Sequence, residues 1–265
     1  MNFSSRRKLL DNMVRGAATL AATSGYGAEP SDALIPHQQP QPRKLKVIAA
    51  GGHPGDPEYG CGGTIARYTD LGHEVVLLYL NRGGAGSPKL PAGELAALRT
   101  GEATKACQIL KARSAYAGQL DGKSIVDTAH YEEFEKIIEA ERPDVLFTQW
   151  PIDNHPDHRA TSMLAYNAWL HMGKSFAFYY YEVSDGEDTQ MFSPTQYVDI
   201  TAVEPRKRAA CYAHASQTPD RFYALETEIA RFRGIQSGYS QAEAFIRHVQ
   251  NPFDLLPAKR PLIVP

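Results

Sequence analysis

The sequence predicts one doubly wound α/β domain, a Rossmann-like fold with a single, mostly parallel sheet and helices on both faces. Three observations carry that expectation. The runs L-K-V-I-A-A, E-V-V-L-L-Y-L and D-V-L-F-T-Q-W are apolar almost throughout, as strands covered on both faces are. Segments of helical period separate them, and no internal repeat interrupts the alternation. The chain has 265 residues, 43% hydrophobic and 22% charged, which is ample for one large core and excludes a disordered or rod-like chain.

Taken in order, the first strand ends near Ala50 and runs into Gly51 and Gly52, followed by the loop H-P-G-D-P-E-Y-G-C-G-G-T. A short helix is expected over 62–71, closed by Gly72, and then the strand E-V-V-L-L-Y-L, completing a βαβ unit. Leu95, Leu98, Ala103, Ala106 and Leu110 recur at helical intervals over 94–110, and 131–140 supplies another short helix. D-V-L-F-T-Q-W is the next strand, 158–171 a helix and F-A-F-Y-Y-Y-E-V a strand. The segments 202–213, 225–232 and 241–249 read as later helices.

Residues 1–42 differ in character and are read as an export signal and flexible linker, leaving 43–265 as the folded domain. Arg6 and Arg7 precede Leu9 and Leu10, a mildly apolar segment follows Arg15, and small residues lead to a cleavage position near Ala28. That pattern resembles a twin-arginine signal and predicts a periplasmic protein; the alternative is the flexible tail of a cytoplasmic one. No later run is long and apolar enough for a transmembrane segment. Lys plus Arg number 28 against 30 Asp plus Glu, a formal charge of -2, so no global positive field points to nucleic acid. Cys61, Cys107 and Cys211 contain no C-x-x-C and read as buried free thiols.

Functional groups gather at the carboxyl ends of parallel strands. His53 and Asp56 follow the first strand, while His155, Asp157 and His158 follow the strand ending near Gln149. Two histidines and a carboxylate form a familiar ligand set for catalytic zinc with a fourth position open, which nominates His53, Asp56 and His158. Zinc there would polarise a carbonyl and make water a better nucleophile, chemistry suited to amide hydrolysis; another divalent metal would fit similar ligands.

These strings resemble the LmbE-like, GlcNAc-phosphatidylinositol de-N-acetylase family of metal-dependent hydrolases. The family carries A-H-P-D-D-E and then G-x-G-G after its first strand; this chain has G-H-P-G-D-P-E-Y-G-C-G-G at Gly52–Gly63, and the family's H-P-D-H stands intact at His155–His158. Further likeness runs through Y-V-D-I-T at Tyr197–Thr201, A-H-A-S-Q at Ala213–Gln217 and Y-S-Q-A-E-A-F at Tyr239–Phe245. The resemblance implies that His53, Asp56 and His158 hold zinc, that His155 stabilises the oxyanion or protonates the leaving amine, and that Asp157 orients His155. The implied substrate is an N-acetylated amino sugar or glycoconjugate.

One departure matters. Gly55 stands where the family has the aspartate that serves as general base, and Pro57 replaces the next acidic residue. Losing such a base costs about 10²- to 10⁴-fold where the other groups remain. Three outcomes stay open: Glu58, Asp157 or Asp153 substitutes, the enzyme is slow, or the domain is a catalytically inactive, metal-dependent carbohydrate-binding protein. Asn81, Arg82, Trp150 and His214 are candidate substrate-binding residues, each with core packing or a solvated surface as the competing role. Glu182 and Lys207 are weaker candidates of the same kind.

Overall fold

A computed structural model describes residues 43–257. The export signal and linker read at 1–42 lie outside the described residues. Four strands fall where apolar runs place them: β1 (Lys46–Gly51), β2 (Glu74–Tyr79), β4 (Val145–Gln149) and β5 (Ala177–Tyr181). Two arise without that signal, β3 (Arg113–Tyr116) and β6 (Gln196–Asp199), both short and only partly buried. The segment expected as a helix over 241–249 is instead β7 (Ala242–Arg247). Its A-E-A-F-I-R has little intrinsic preference for either state, and pairing with β5 on one side and β6 on the other decides it.

The seven strands form one sheet in the order β3-β2-β1-β4-β5-β7-β6. The first five are parallel, and β7 runs antiparallel to both its neighbours. Successive side chains point to opposite faces, so Val47, Ala49, Leu77, Phe147 and Tyr179 build one core, while Ile48, Ala50, Val76, Leu146 and Phe178 build the other. The tyrosine run divides the same way: Tyr179 and Tyr181 go to the first core and Tyr180 to the second. Helices α1 (Asp56–Asp70), α2 (Ala92–Leu110) and α5 (Glu204–Tyr212) pack together; α3 (Thr128–Glu141) pairs with α4 (Pro156–His171), and α6 (Pro219–Ser237) covers β7. Cys61, Cys107 and Cys211 are free and buried, as read.

Helix α1 departs from its expected start, and α2 from its expected buried face. Helix α1 begins at Asp56, six residues early, with Pro57 in its first turn and a local break at Cys61. Its glycines serve packing rather than loop passage: a Cβ at Gly60 would lie 2.3 Å from Tyr181 Cδ2, so only glycine lets α1 press onto β5. Helix α2 turns Leu95, Arg99, Glu102, Ala103 and Ala106 inward and leaves Leu98 exposed, so an arginine occupies the buried stripe. Strand order reverses between β1 and β4, and the crevice beyond their carboxyl ends is where an open α/β sheet binds its ligands.

Candidate functional site

The loops leaving β1 and β4 meet in that crevice. Gln149, the last residue of β4, accepts from the Gly52 N–H (2.9 Å) and donates to Asp56 Oδ2 (3.1 Å), tying the two loops together. The His53 N–H donates to the same oxygen (2.8 Å), which fixes the Asp56 carboxylate at the start of α1. His155 caps α4, its Nδ1 accepting from the Asp157 N–H (3.2 Å), and His158 follows one turn on. Neutral His155 therefore carries its proton on Nε2.

Asp56 Oδ2 lies 3.3 Å from His53 Nδ1 and 3.2 Å from His158 Nε2. The far nitrogen of each imidazole rests on a carboxylate: His53 Nε2 is 3.1 Å from both Asp157 and Asp121, and His158 Nδ1 is 3.0 Å from Asp153. That is the support metal-bound histidines use, a carboxylate fixing ring and tautomer from behind. Two imidazole nitrogens, each held from behind, and one carboxylate oxygen between them suit a divalent metal. Two groupings bring all their donor atoms within 4.8 Å of one another, His53 with His155 and His158, and His53 with Asp121 and Asp157, whereas Asp56 Oδ2 meets His53 and His158 pairwise. The second of these would take His53 off its supports, whereas a set that includes Asp56 leaves both imidazoles on theirs.

Charge in the crevice is strongly coupled. Burial opposes protonation of His53, but Asp56, Asp121 and Asp157 outweigh it and hold its pKa well above the ordinary value. His158 behaves alike: burial lowers it, Asp56 and Asp153 raise it, and it ends near 9. Burial raises Asp56, yet His158 and His53 hold it well below the carboxylate range. His155 goes the other way, lowered by burial and by the two imidazoles beside it. A cavity of about 310 Å³ opens over this cluster, lined by His53, Gly55, Asp56, His155 and His158 and, from other elements, by Arg99, Asp121, Asp188 and Gln217. A larger groove of about 630 Å³, near the end of α1, holds neither donor grouping, so chemistry rather than size selects the site.

The GlcNAc-PI de-N-acetylase (PIG-L) family model matches residues 47–169. The chain is 30% identical over 236 residues to the diacetylchitobiose deacetylase of Thermococcus kodakarensis, spanning 78% of this chain and 84% of that one. The chain belongs to the PIG-L family. Its fold is similar to that of a conserved protein from Thermus thermophilus (29% identity, TM-score 0.68, 82% of this chain and 99% of that one). It is likewise similar to the N,N'-diacetylchitobiose deacetylase of Pyrococcus horikoshii (27%, TM-score 0.67, 76% and 82%).

Within this PIG-L chain the structure brings together His53, Asp56, His155 and His158, with Asp157 behind His53, while Glu58, Arg82, Trp150 and His214 lie elsewhere. Glu58 is turned into the core, where Oε1 accepts from the Tyr79 hydroxyl (2.7 Å) and lies 2.9 Å from His214 Nε2. It does not line the cavity, and neither does the fully buried His214. The Asp157 carboxylate supports His53 and accepts from Asn81 Nδ2 (3.0 Å) and the Gly122 N–H (2.8 Å); His155 is oriented by the backbone N–H of Asp157 instead. Asn81 is thus a buried strut, with Oδ1 accepting from Gly83. Arg82 lies over the Tyr116 ring and donates to Thr100, and Trp150 packs against Tyr180 and Phe192. Glu182 pairs with Arg233, and Lys207 with Glu243, all four buried.

Four cavity residues went unnoticed in the sequence. Arg99 shares the inward face of α2 with Leu95 and Ala103, a charge among apolar neighbours four apart, and that was its signal. Asp121 follows β3, a strand without an apolar run, and Asp188 follows β5, so both sit beyond strand carboxyl ends. Gln217 belongs to the S-Q string and reaches the metal loop, donating to the Pro54 carbonyl (2.7 Å).

Proposed function

We propose that the protein is a zinc-dependent hydrolase that removes an N-acyl group, an acetyl in particular, from an amino sugar or glycoconjugate. The observation that carries this is Asp56 Oδ2 lying within 3.3 Å of His53 Nδ1 and 3.2 Å of His158 Nε2, with the His155 ring stacked on His158 at 4.7 Å between centroids. Two relatives named as diacetylchitobiose deacetylases support the substrate class. Zinc held by His53, Asp56 and His158 supplies Lewis acidity at the acyl carbonyl and lowers the pKa of the attacking water. The His155 Nε2–H, directed by the bond at Nδ1, donates to the oxygen on which charge develops. Arg99 lines the same cavity, and its guanidinium carries donors suited to sugar hydroxyls. A cavity of about 310 Å³ has room for one acetamido sugar.

The test is turnover of N-acetylglucosamine and diacetylchitobiose by zinc-loaded protein, following acetate and free amine together. Equal amounts of both products, lost in His158→Ala, support the hydrolase. Metal-dependent sugar binding without either product would favour the carbohydrate-binding alternative that Gly55 raises. The Arg6-Arg7 leader supports export, checked by periplasmic fractionation of wild type against the Arg6→Lys, Arg7→Lys pair.

A further inference from the structure

Gly55 lines the cavity and carries no proton acceptor, so another group must take the proton of the attacking water. Three carboxylates line the cavity: Asp56, Asp121 and Asp188. Asp56 is committed to His53, His158 and Gln149. Asp121 supports His53 Nε2 and accepts from the Ala85 N–H (2.7 Å). Among the described residues the Asp188 carboxylate meets no hydrogen-bond donor and no cation within ion-pair distance. The remaining nearby acids are out of reach: Glu58 is locked into the core, Asp157 is spent on His53 and Asn81, and Asp153 on His158 and Thr189.

We propose that Asp188 is the general base of this enzyme, replacing from the β5–β6 loop the acid missing at position 55. The inference rests on the hydrolase reading above. Position is set by the same residues that build the metal site. The Asn154 N–H donates to the Asp188 carbonyl (2.8 Å), and Thr189 Oγ1 donates to Asp153 Oδ2 (3.1 Å), the carboxylate whose other oxygen holds His158. From the opposite side α6 anchors the loop, Glu226 accepting from the Ser184 N–H (2.9 Å) and Arg233 pairing with Asp185 (3.1 Å). Asp188 therefore rides on a segment fixed at both ends, next to the loop that leads into the histidines of α4. Burial raises its pKa; His158 pulls it down, while Asp153, Asp56 and Glu187 push it up, so the carboxylate is a stronger base than a solvated one.

The step balances as amide plus water to amine plus acid. As the water oxygen bonds to the acyl carbon, its proton passes to Asp188 and the carbonyl pair moves onto oxygen, against the His155 Nε2–H. On collapse the carbonyl re-forms, the C–N bond breaks, and the proton on Asp188 passes to nitrogen. Asp188 ends as a carboxylate, ready for the next turnover.

The test uses full-length, zinc-loaded protein and Asp188→Asn, with Asp188→Glu as the conservative variant. Asp188→Asn should keep its zinc and melting temperature and lose about 10²- to 10⁴-fold in kcat, with Asp188→Glu in between. The second readout needs no turnover: acetohydroxamate gives up a proton on binding, and calorimetry in buffers of different ionisation enthalpy counts it. Wild type should keep that proton on Asp188, whereas Asp188→Asn should release about one more proton to buffer. Asp188 is overturned if acetohydroxamate fails to bind or the proton count is unchanged in Asp188→Asn, whether or not the rate falls. If the count shifts but wild type turns over no N-acetylated sugar, the substrate reading fails while Asp188 stands as the base.

Discussion

Restoring the family's aspartate by Gly55→Asp perturbs backbone before it perturbs chemistry. Gly55 has φ +114° and ψ −41°, a conformation L-residues rarely adopt. Space is not the obstacle, since a Cβ there would sit 3.5 Å from Gln217 Nε2 and 3.7 Å from the Tyr59 ring, ordinary contacts. The cost is therefore conformational, about 1–3 kcal/mol, equivalent to roughly 2–12 °C in melting temperature for a domain of this size. Gly55→Ala should lose the same amount, because the penalty belongs to the backbone and not to the carboxylate. Thermal unfolding of wild type and both variants, at equal zinc loading, measures this. Unchanged melting temperatures in both variants, or a loss confined to aspartate, would refute the reasoning.

Three further outcomes are expected. Asp153→Ala removes the support behind His158 Nδ1 and should weaken zinc binding about 10- to 100-fold, measured by chelator competition. Lys207→Met leaves the buried Glu243 without its cation and should cost about 3–5 kcal/mol in denaturant unfolding, with partial recovery in the double variant Lys207→Met, Glu243→Gln. The third concerns pH: burial raises Glu226 from 4.5 to about 7, against the pull of Lys207 and the Ser184 N–H, so the folded state binds its proton more tightly than the unfolded state. That contribution is complete below pH 4.5 and is lost as pH rises through 7, at most about 3 kcal/mol. Glu226→Gln keeps an acceptor for Ser184 and should gain on wild type in unfolding free energy between pH 5 and about 8; parallel pH curves would contradict it.

The sheet was legible wherever burial on both faces made a strand apolar throughout, as in β1, β2, β4 and β5. Short strands supported by neighbours were not: R-S-A-Y of β3 is polar at its start, and A-E-A-F-I-R of β7 takes its state from β5 and β6. His53, Asp56 and His158 could be nominated together because they lie on two short strings at the ends of adjacent strands, and the structure places Asp56 against both imidazoles. Glu58 was misjudged through the start of α1. With the helix beginning at Asp56, a residue two positions on points about 200° away, into the core toward Tyr79 and His214. Arg99 and Asp188 reach the cavity through helix rotation and loop closure, neither of which local sequence spells out, though an arginine on an apolar helix stripe is a sign worth reading.

The central claim is the ligand set, and an anomalous-scattering map of zinc-loaded crystals tests it most directly. One zinc peak about 2.0–2.2 Å from His53 Nδ1, Asp56 Oδ2 and His158 Nε2, with Asp157 and Asp153 still behind the two imidazoles, is the result predicted. A peak held by His53 Nε2 with Asp121 and Asp157, leaving Asp56 unligated, would contradict it.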